Sequence, residues 1–180
     1  MRFLAICLLF VGLVAPLDHA FAMNAAEINA RVDEALQKFY KKSPAGKKLA
    51  GQAKGILVFP KVYKAGIGVG GEYGEGALRV GGKTVNYYST ASGSFGLQLG
   101  AQARTQILMF MTAESLNKFR KSDGWEVGVD GSVALITIGA GEDFDTNTVK
   151  APIVGFVMNN QGLMFNVSLE GTKISKIDRK

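Results

Sequence analysis

The chain has 180 residues, with 21 Lys and Arg against 15 Asp and Glu for a formal net charge of +6, and it contains one Cys and one His. Cys7 and His19 both fall within the first 22 residues, which read as a leader, so the remaining 158 residues (180 less 22) hold no thiol and no imidazole. That excludes disulfides, a Cys/His zinc site and any Ser–His or Cys–His nucleophile there, and the length fits one domain.

The leader reading rests on Arg2, the 13-residue apolar run "FLAICLLFVGLVA", the break at Pro16 and the small residues of Ala20-Phe21-Ala22. The run is shorter than the roughly 17–25 residues of a membrane span. A secretory signal cut before Met23 is expected, with residues 23–180 as one domain, periplasmic or extracellular. Cys7 lies inside the apolar run, away from a lipobox position, so no lipid anchor is expected.

"NAAEINARVDEALQKFYKK" carries a helix. Asn24 and Glu27 form a capping-box pattern, and Ile28, Val32, Ala35, Leu36 and Phe39 recur on one face. Pro44 ends it, and "AGKKLAGQAK" predicts a second short helix. From "GILVFP" the period becomes two. "TVNYYS", "SFGLQLGAQA", "WEVGV", "SVALITIG", "PIVGFVMN" and "LMFNVSLEG" read as strands, with Leu163, Phe165, Val167 and Leu169 on one face of the last. "TAESLNKFRK" is the one inserted helix, capped by Thr112, with Leu116 and Phe119 inward. The fold class expected is α+β: a mostly antiparallel curved sheet or barrel, an N-terminal amphipathic helix and one inserted helix.

Glycine makes up 22 of those 158 residues, about twice the usual ~7%. "KAGIGVGGEYGEG" contains Gly66-x-Gly68-x-x-Gly71, but no helix follows, as a dinucleotide loop requires. Instead Gly66, Gly68, Gly70, Gly74 and Gly76 share one strand parity. They leave a bare face that a backbone, a helix or a ligand can approach closely, or at which the sheet can bend. Gly81-Gly82-Lys83 reads as a hairpin turn and lacks the spacing of a phosphate loop. Asp143-x-Asp145-x-Asn147 opens like a calcium loop, but Thr148 and Val154 stand where Gly and Glu belong. Glu72 and Glu75 have opposite parity and point to opposite faces, so they form no catalytic pair. No enzyme, metal site or cofactor is expected.

Charge is more informative. Residues 35–71 hold Lys38, Lys41, Lys42, Lys47, Lys48, Lys54, Lys61 and Lys64 with no acid, and residues 122–149 hold six acids with no base. Lysines interleaved with Phe39, Tyr40, Phe59 and Tyr63, starting on an amphipathic helix, fit an anionic membrane surface, each contributing up to about 1 kcal/mol. The alternatives are an ordinary solvated face, or an acidic segment folded over the lysines. Nucleic acid is disfavoured by the scarcity of Arg and by export.

The blocks "AKGILVFPKVYKAGIGVGGEYGEGAL", "YYSTASGSFGLQLGAQ", "GWEVGVDGSVAL" and "PIVGFVMNNQGLMFNVSLEGTKISKI", in this order and spacing, resemble the SYLF-domain family from about residue 24 onward. The resemblance implies a non-enzymatic lipid-binding domain. Eukaryotic relatives bind phosphoinositides and other acidic lipids, partly through a basic N-terminal segment, and some bind actin. Bacterial relatives are exported single-domain proteins. By position, the basic segment maps onto Lys38, Lys41, Lys42, Lys47 and Lys48; Lys54, Lys61 and Lys64 are candidates on charge alone. Export separates this chain from cytoplasmic actin, so the partner expected is anionic membrane phospholipid. A protein partner in the envelope is the alternative. An integral outer-membrane barrel is disfavoured by the two helices and by the "KIDRK" terminus.

Overall fold

The structure, a computed structural model, describes residues 23–96, 102–136, 150–164 and 167–180, without the side chains of 65–69, 94–96 and 102. Helix α1 (Ala25–Lys42) starts where the side chain of Asn24 accepts the Glu27 N–H, at 2.8 Å. It buries Ile28, Val32, Ala35 and Phe39. Ser43 closes α1 through its N–H to the Phe39 carbonyl and opens α2 (Pro44–Ala50) by accepting the Gly46 N–H. Pro44 therefore stands at the first helical position, where its missing N–H costs nothing.

Among the described residues seven strands follow: β1 (Gly55–Val80), β2 (Lys83–Gly96), β3 (Gln102–Phe110), β4 (Trp125–Glu126), β5 (Ala134–Leu135), β6 (Ile153–Met158) and β7 (Lys173–Ile177). They form one sheet in the order β4-β7-β2-β1-β3-β6-β5, curled into a half-barrel, antiparallel except where β5 pairs with β6. Helix α3 (Ala113–Lys121) is inserted after β3, with Thr112 accepting the Ser115 N–H as its cap. Gly81 and Gly82 have φ of 58° and 78° and join Val80 to Lys83, which makes the expected two-residue hairpin turn.

Strand β1 is the backbone of the design. Its first half pairs with β3 (Gly55 to Lys64) and its second half with β2 (Gly68 to Val80). The two halves pack on each other: a β-carbon at Gly74 would lie 2.6 Å from the Lys61 carbonyl oxygen, and one at Gly76 would lie 2.8 Å from Phe59 Cδ1 and run into the Val58 carbonyl. The bare glycine face is thus covered, at 74 and 76, by the same strand returning over itself. The surroundings of 66 and 68 lie outside the described side chains.

The strand residues alternate between two cores, which is why β1, β3 and β6 read as nearly continuous apolar runs. Leu57, Phe59, Leu108, Phe110, Ile153 and Val157 face the inside of the curl with Leu116 and Phe119 of α3 and Trp125. Val58, Ile107, Met109, Val154 and Phe156 face outward, under α1 and α2. Phe119 ties the inner core together, with ring centroids 4.8 Å from Phe110, 4.9 Å from Tyr88 and 5.6 Å from Trp125.

The strand expectations are corrected in two places. "WEVGV" forms a ladder over Trp125–Glu126, with Val127 adding a single bridge to Gly131, because Gly128 (φ 91°) then turns the chain back. Among its described residues "LMFNVSLEG" contributes one bridge, Leu163 to Met158, after a tight turn at Asn159–Gly162 in which the Asn159 side chain accepts the N–H groups of Gln161 and Gly162. Beyond it the alternation fails, since Leu163 packs on the outer core while Met164, Val167 and Leu169 pack on the inner one. The leader, the calcium-like Asp143-x-Asp145-x-Asn147, Phe165 of the last expected strand and parts of "SFGLQLGAQA" and "SVALITIG" lie outside the described residues.

Candidate anion-binding cleft

Helix α1 is fixed on one flank by the β1–β2 hairpin. Asn29 donates to the Tyr87 hydroxyl (2.9 Å) and accepts from Thr84 (2.7 Å), while Arg79 pairs with Asp33 (2.7 Å). Its other flank is turned toward β1, β3 and β6, where a cleft of about 470 Å³ opens. That volume is within the range of small-ligand sites. Arg31, Lys38, Lys42, Lys61 and Arg104 line it, with Glu34 as its one carboxylate among the described residues. Arg31, Glu34, Lys38 and Lys42 fall within one helical stripe, at offsets of three, seven and eleven residues.

Lys61 reaches the cleft through a bulge. The β1–β3 register shifts between Phe59 and Val62, and both of these face the inner core although they are three residues apart. In regular alternation Lys61 would share the face of Phe59. The irregularity reverses the parity and leaves Lys61 exposed beside α1. Pro60 at the bulge needs no donor of its own, and its carbonyl accepts the Thr105 hydroxyl at 2.9 Å.

The cations are not equally free. Arg31 binds Glu27 at 2.6 Å, and that hydrogen bond raises its pKa. Lys38 binds Glu34 at 2.6 Å and, as the largest cause, lowers the Glu34 pKa, with Lys61 and Arg31 adding to the effect. Arg104 is largely buried and pairs with Glu72, which also receives Lys64 at 3.6 Å. Burial lowers the Arg104 pKa, and Glu72 opposes this. Gln106, with its amide oxygen turned to the guanidinium, lies 3.1 Å from it. Lys42 donates to the Asn160 carbonyl at 2.9 Å, and neither Lys42 nor Lys61 has a carboxylate within 4 Å among the described residues. The positive charge of the cleft that no carboxylate within 4 Å neutralises, among the described residues, therefore sits on Lys42 of α1 and Lys61 of β1.

The structure divides the eight candidate lysines. Lys38, Lys42 and Lys61 meet in the cleft. Lys41, Lys47 and Lys48 are exposed outside its lining, and Lys64 is held by Glu72. Lys54 lines a separate hollow of about 280 Å³ with Asp33, Tyr40 and Arg79. Arg31 was missed, although its helical spacing from Lys38 would have pointed to it. Arg104 was not, because only the β1–β3 pairing brings it there. Asp123, Glu126 and Asp130 do not line the cleft. Glu72 and Glu75 are both buried but serve different partners: Glu75 binds Arg179 at 2.5 Å and accepts the Tyr73 hydroxyl at 2.8 Å.

The protein is thus a curled α+β half-barrel, backed by an amphipathic helix and opening a cationic cleft beside it. Residues 91–180, half of the chain, match the family model Ysc84, described as Las17-binding protein actin regulator. The chain belongs to this family, that of the SYLF domain. The match includes the β3 and β6 walls of the cleft and leaves α1 outside it. No curated protein matches the chain. No helix among the described residues is long and apolar enough to cross a membrane.

Proposed function

We propose that residues 23–180 act as one exported, non-catalytic domain that associates peripherally with anionic phospholipid membranes, in the periplasm or outside the cell. The observation that carries this reading is the convergence of Lys38, Lys42 and Lys61 with Arg31 on a cleft with, among the described residues, a single lining carboxylate. A phosphate-bearing headgroup entering it meets Lys42 and Lys61 without displacing an internal ion pair. Exposed Lys41, Lys47 and Lys48 surround that entrance in sequence and add attraction at longer range, about 1 kcal/mol for each lysine near the surface. The absence of catalysis is supported by the engagement of Glu72 and Glu75 with arginines, and by the lack of thiol and imidazole after residue 22.

The test is co-sedimentation of residues 23–180 with neutral and anionic phosphatidyl vesicles at low and high salt. Binding to anionic vesicles alone, weakened by salt, is the expected result. Equal failure on both vesicle types removes membrane lipid as the ligand. A protein partner would then come first, with Tyr63 and Tyr73, 50% and 45% exposed on β1, as its natural contacts.

A further inference from the structure

The first described residue lies against a buried carboxylate that the cleft does not use. Met23 N is 3.3 Å from Glu75 Oε2, and Glu75 is only 2% exposed. Tyr73 (2.8 Å) and Arg179 Nη2 (2.5 Å) both donate to Oε1, whereas Oε2 receives, besides Met23 and among the described residues, the longer Arg179 Nε contact at 3.1 Å. The spare acceptor capacity of the carboxylate therefore faces Met23. Two residues on, the Ala25 N–H donates to the Lys180 carbonyl at 3.1 Å, so the start of α1, the end of β7's tail and the middle of β1 are laced together at this point. Met23 itself packs, half-buried, on the outer core. The bond before Met23 is also the one at which the leader pattern places the cut.

We propose that Glu75 is the receptor for the α-amino group produced by cleavage before Met23, so that processing completes the fold. A leader peptidase hydrolyses the Ala22–Met23 amide: water adds across the C–N bond, Ala22 keeps the carboxylate, and the Met23 nitrogen takes up protons to become an ammonium. The uncut chain offers Oε2 one neutral amide N–H. The cut chain offers three donors with a full positive charge, and such charge-assisted bonds are roughly twice as strong as neutral ones. Burial of Glu75 protects the pair from the screening that weakens surface ion pairs. The inference stands apart from the membrane reading and depends on the position of the cut.

Intact mass of the chain recovered after export comes first, and a start at any residue but Met23 overturns the proposal. Three chains are then melted: one starting at Met23 with a free amine, the same chain Nα-acetylated, and one extended by Gly-Ser. The free amine is expected to melt about 2–4 °C above the other two, and the three are expected to coincide in the Glu75→Gln background. Equal melting in the natural background, or a difference that survives Glu75→Gln, overturns the pairing. Because Glu75→Gln also deprives Arg179 of its partner, a crystal structure of the processed chain gives a reading free of mutation. Its Met23 nitrogen is expected within about 2.7–3.2 Å of Oε2, and a separation beyond about 4 Å overturns the proposal.

Discussion

Replacing Gly76 by Ala adds one methyl group at the point where β1 folds over itself. The new carbon would run into the Val58 carbonyl oxygen and stand 2.8 Å from both the Val58 carbonyl carbon and Phe59 Cδ1. Two of these three neighbours are main-chain atoms, held in the β1–β3 ladder by the pairing of Val58 with Ile107, so no rotamer change relieves the clash. Overpacking of a tight core costs about 1–3 kcal/mol, and immovable backbone puts this site at the upper end. For a domain of this size each 1 kcal/mol lowers Tm by roughly 2–4 °C, so about 3 kcal/mol amounts to roughly 6–12 °C. The control is Gly93→Ala in β2, where a β-carbon meets nothing within 4 Å and φ is not positive. There the lost freedom of the unfolded chain is expected to leave stability unchanged or raised by about 0.4–1 kcal/mol. Both variants are measured by thermal melting followed by circular dichroism. If Gly76→Ala melts with the natural protein, the glycines are not there for close approach of the two halves of β1, and the account of the glycine stripe fails.

Three further outcomes follow from the same geometry. Lys42→Glu combined with Lys61→Glu is expected to abolish sedimentation with anionic vesicles, while Lys47→Glu with Lys48→Glu, outside the cleft, weakens it only in part; the reverse order would move the site to α2. Phe119→Ala removes the ring that joins Phe110, Tyr88 and Trp125 and is expected to cost about 3–5 kcal/mol, read from urea unfolding. Burial first, and the hydrogen bond to Glu75 second, push the Tyr73 phenol up to about 12. Since its pKa is raised in the folded state, the contribution of Tyr73 to stability is complete below pH 10, the ordinary phenol value, and is lost as pH rises toward 12. Burial also raises the Tyr40 and Tyr88 phenols, so ultraviolet titration should show several late-ionising phenols and one fewer in Tyr73→Phe; an undiminished late phase in that variant would assign the shift elsewhere.

Local chemistry made α1, α2, α3 and the Gly81-Gly82 turn readable in advance. A cap, an apolar stripe and a turn residue each act within a few positions of chain, so Asn24 and Thr112 say what they do without reference to anything distant, whereas Pro44, expected only to end α1, opens an α2 that stops at Ala50. The strands were readable where they are long. They failed at "WEVGV" and "LMFNVSLEG", where apolar alternation continues past the point at which the chain leaves its neighbour. Alternation reports burial, and burial can be met by packing without a ladder: Val167 and Leu169 reach the inner core in no strand at all.

The site shows the same division. That this chain carries an unopposed basic segment beginning on an amphipathic helix, that its glycines belong to a strand, and that it lacks thiol and imidazole chemistry beyond residue 22 were all determined by the sequence itself, because charge, parity and inventory are properties of the chain. Which lysines act together was decided by the tertiary structure. Helical phase separates Lys42 from Lys41 by about 100°, the bulge at Pro60–Lys61 turns Lys61 outward, and the ion pair with Glu72 withdraws Lys64. Electrostatic attraction depends on distance in space and on the counter-charges nearby, and both are set by contacts between residues far apart in the chain.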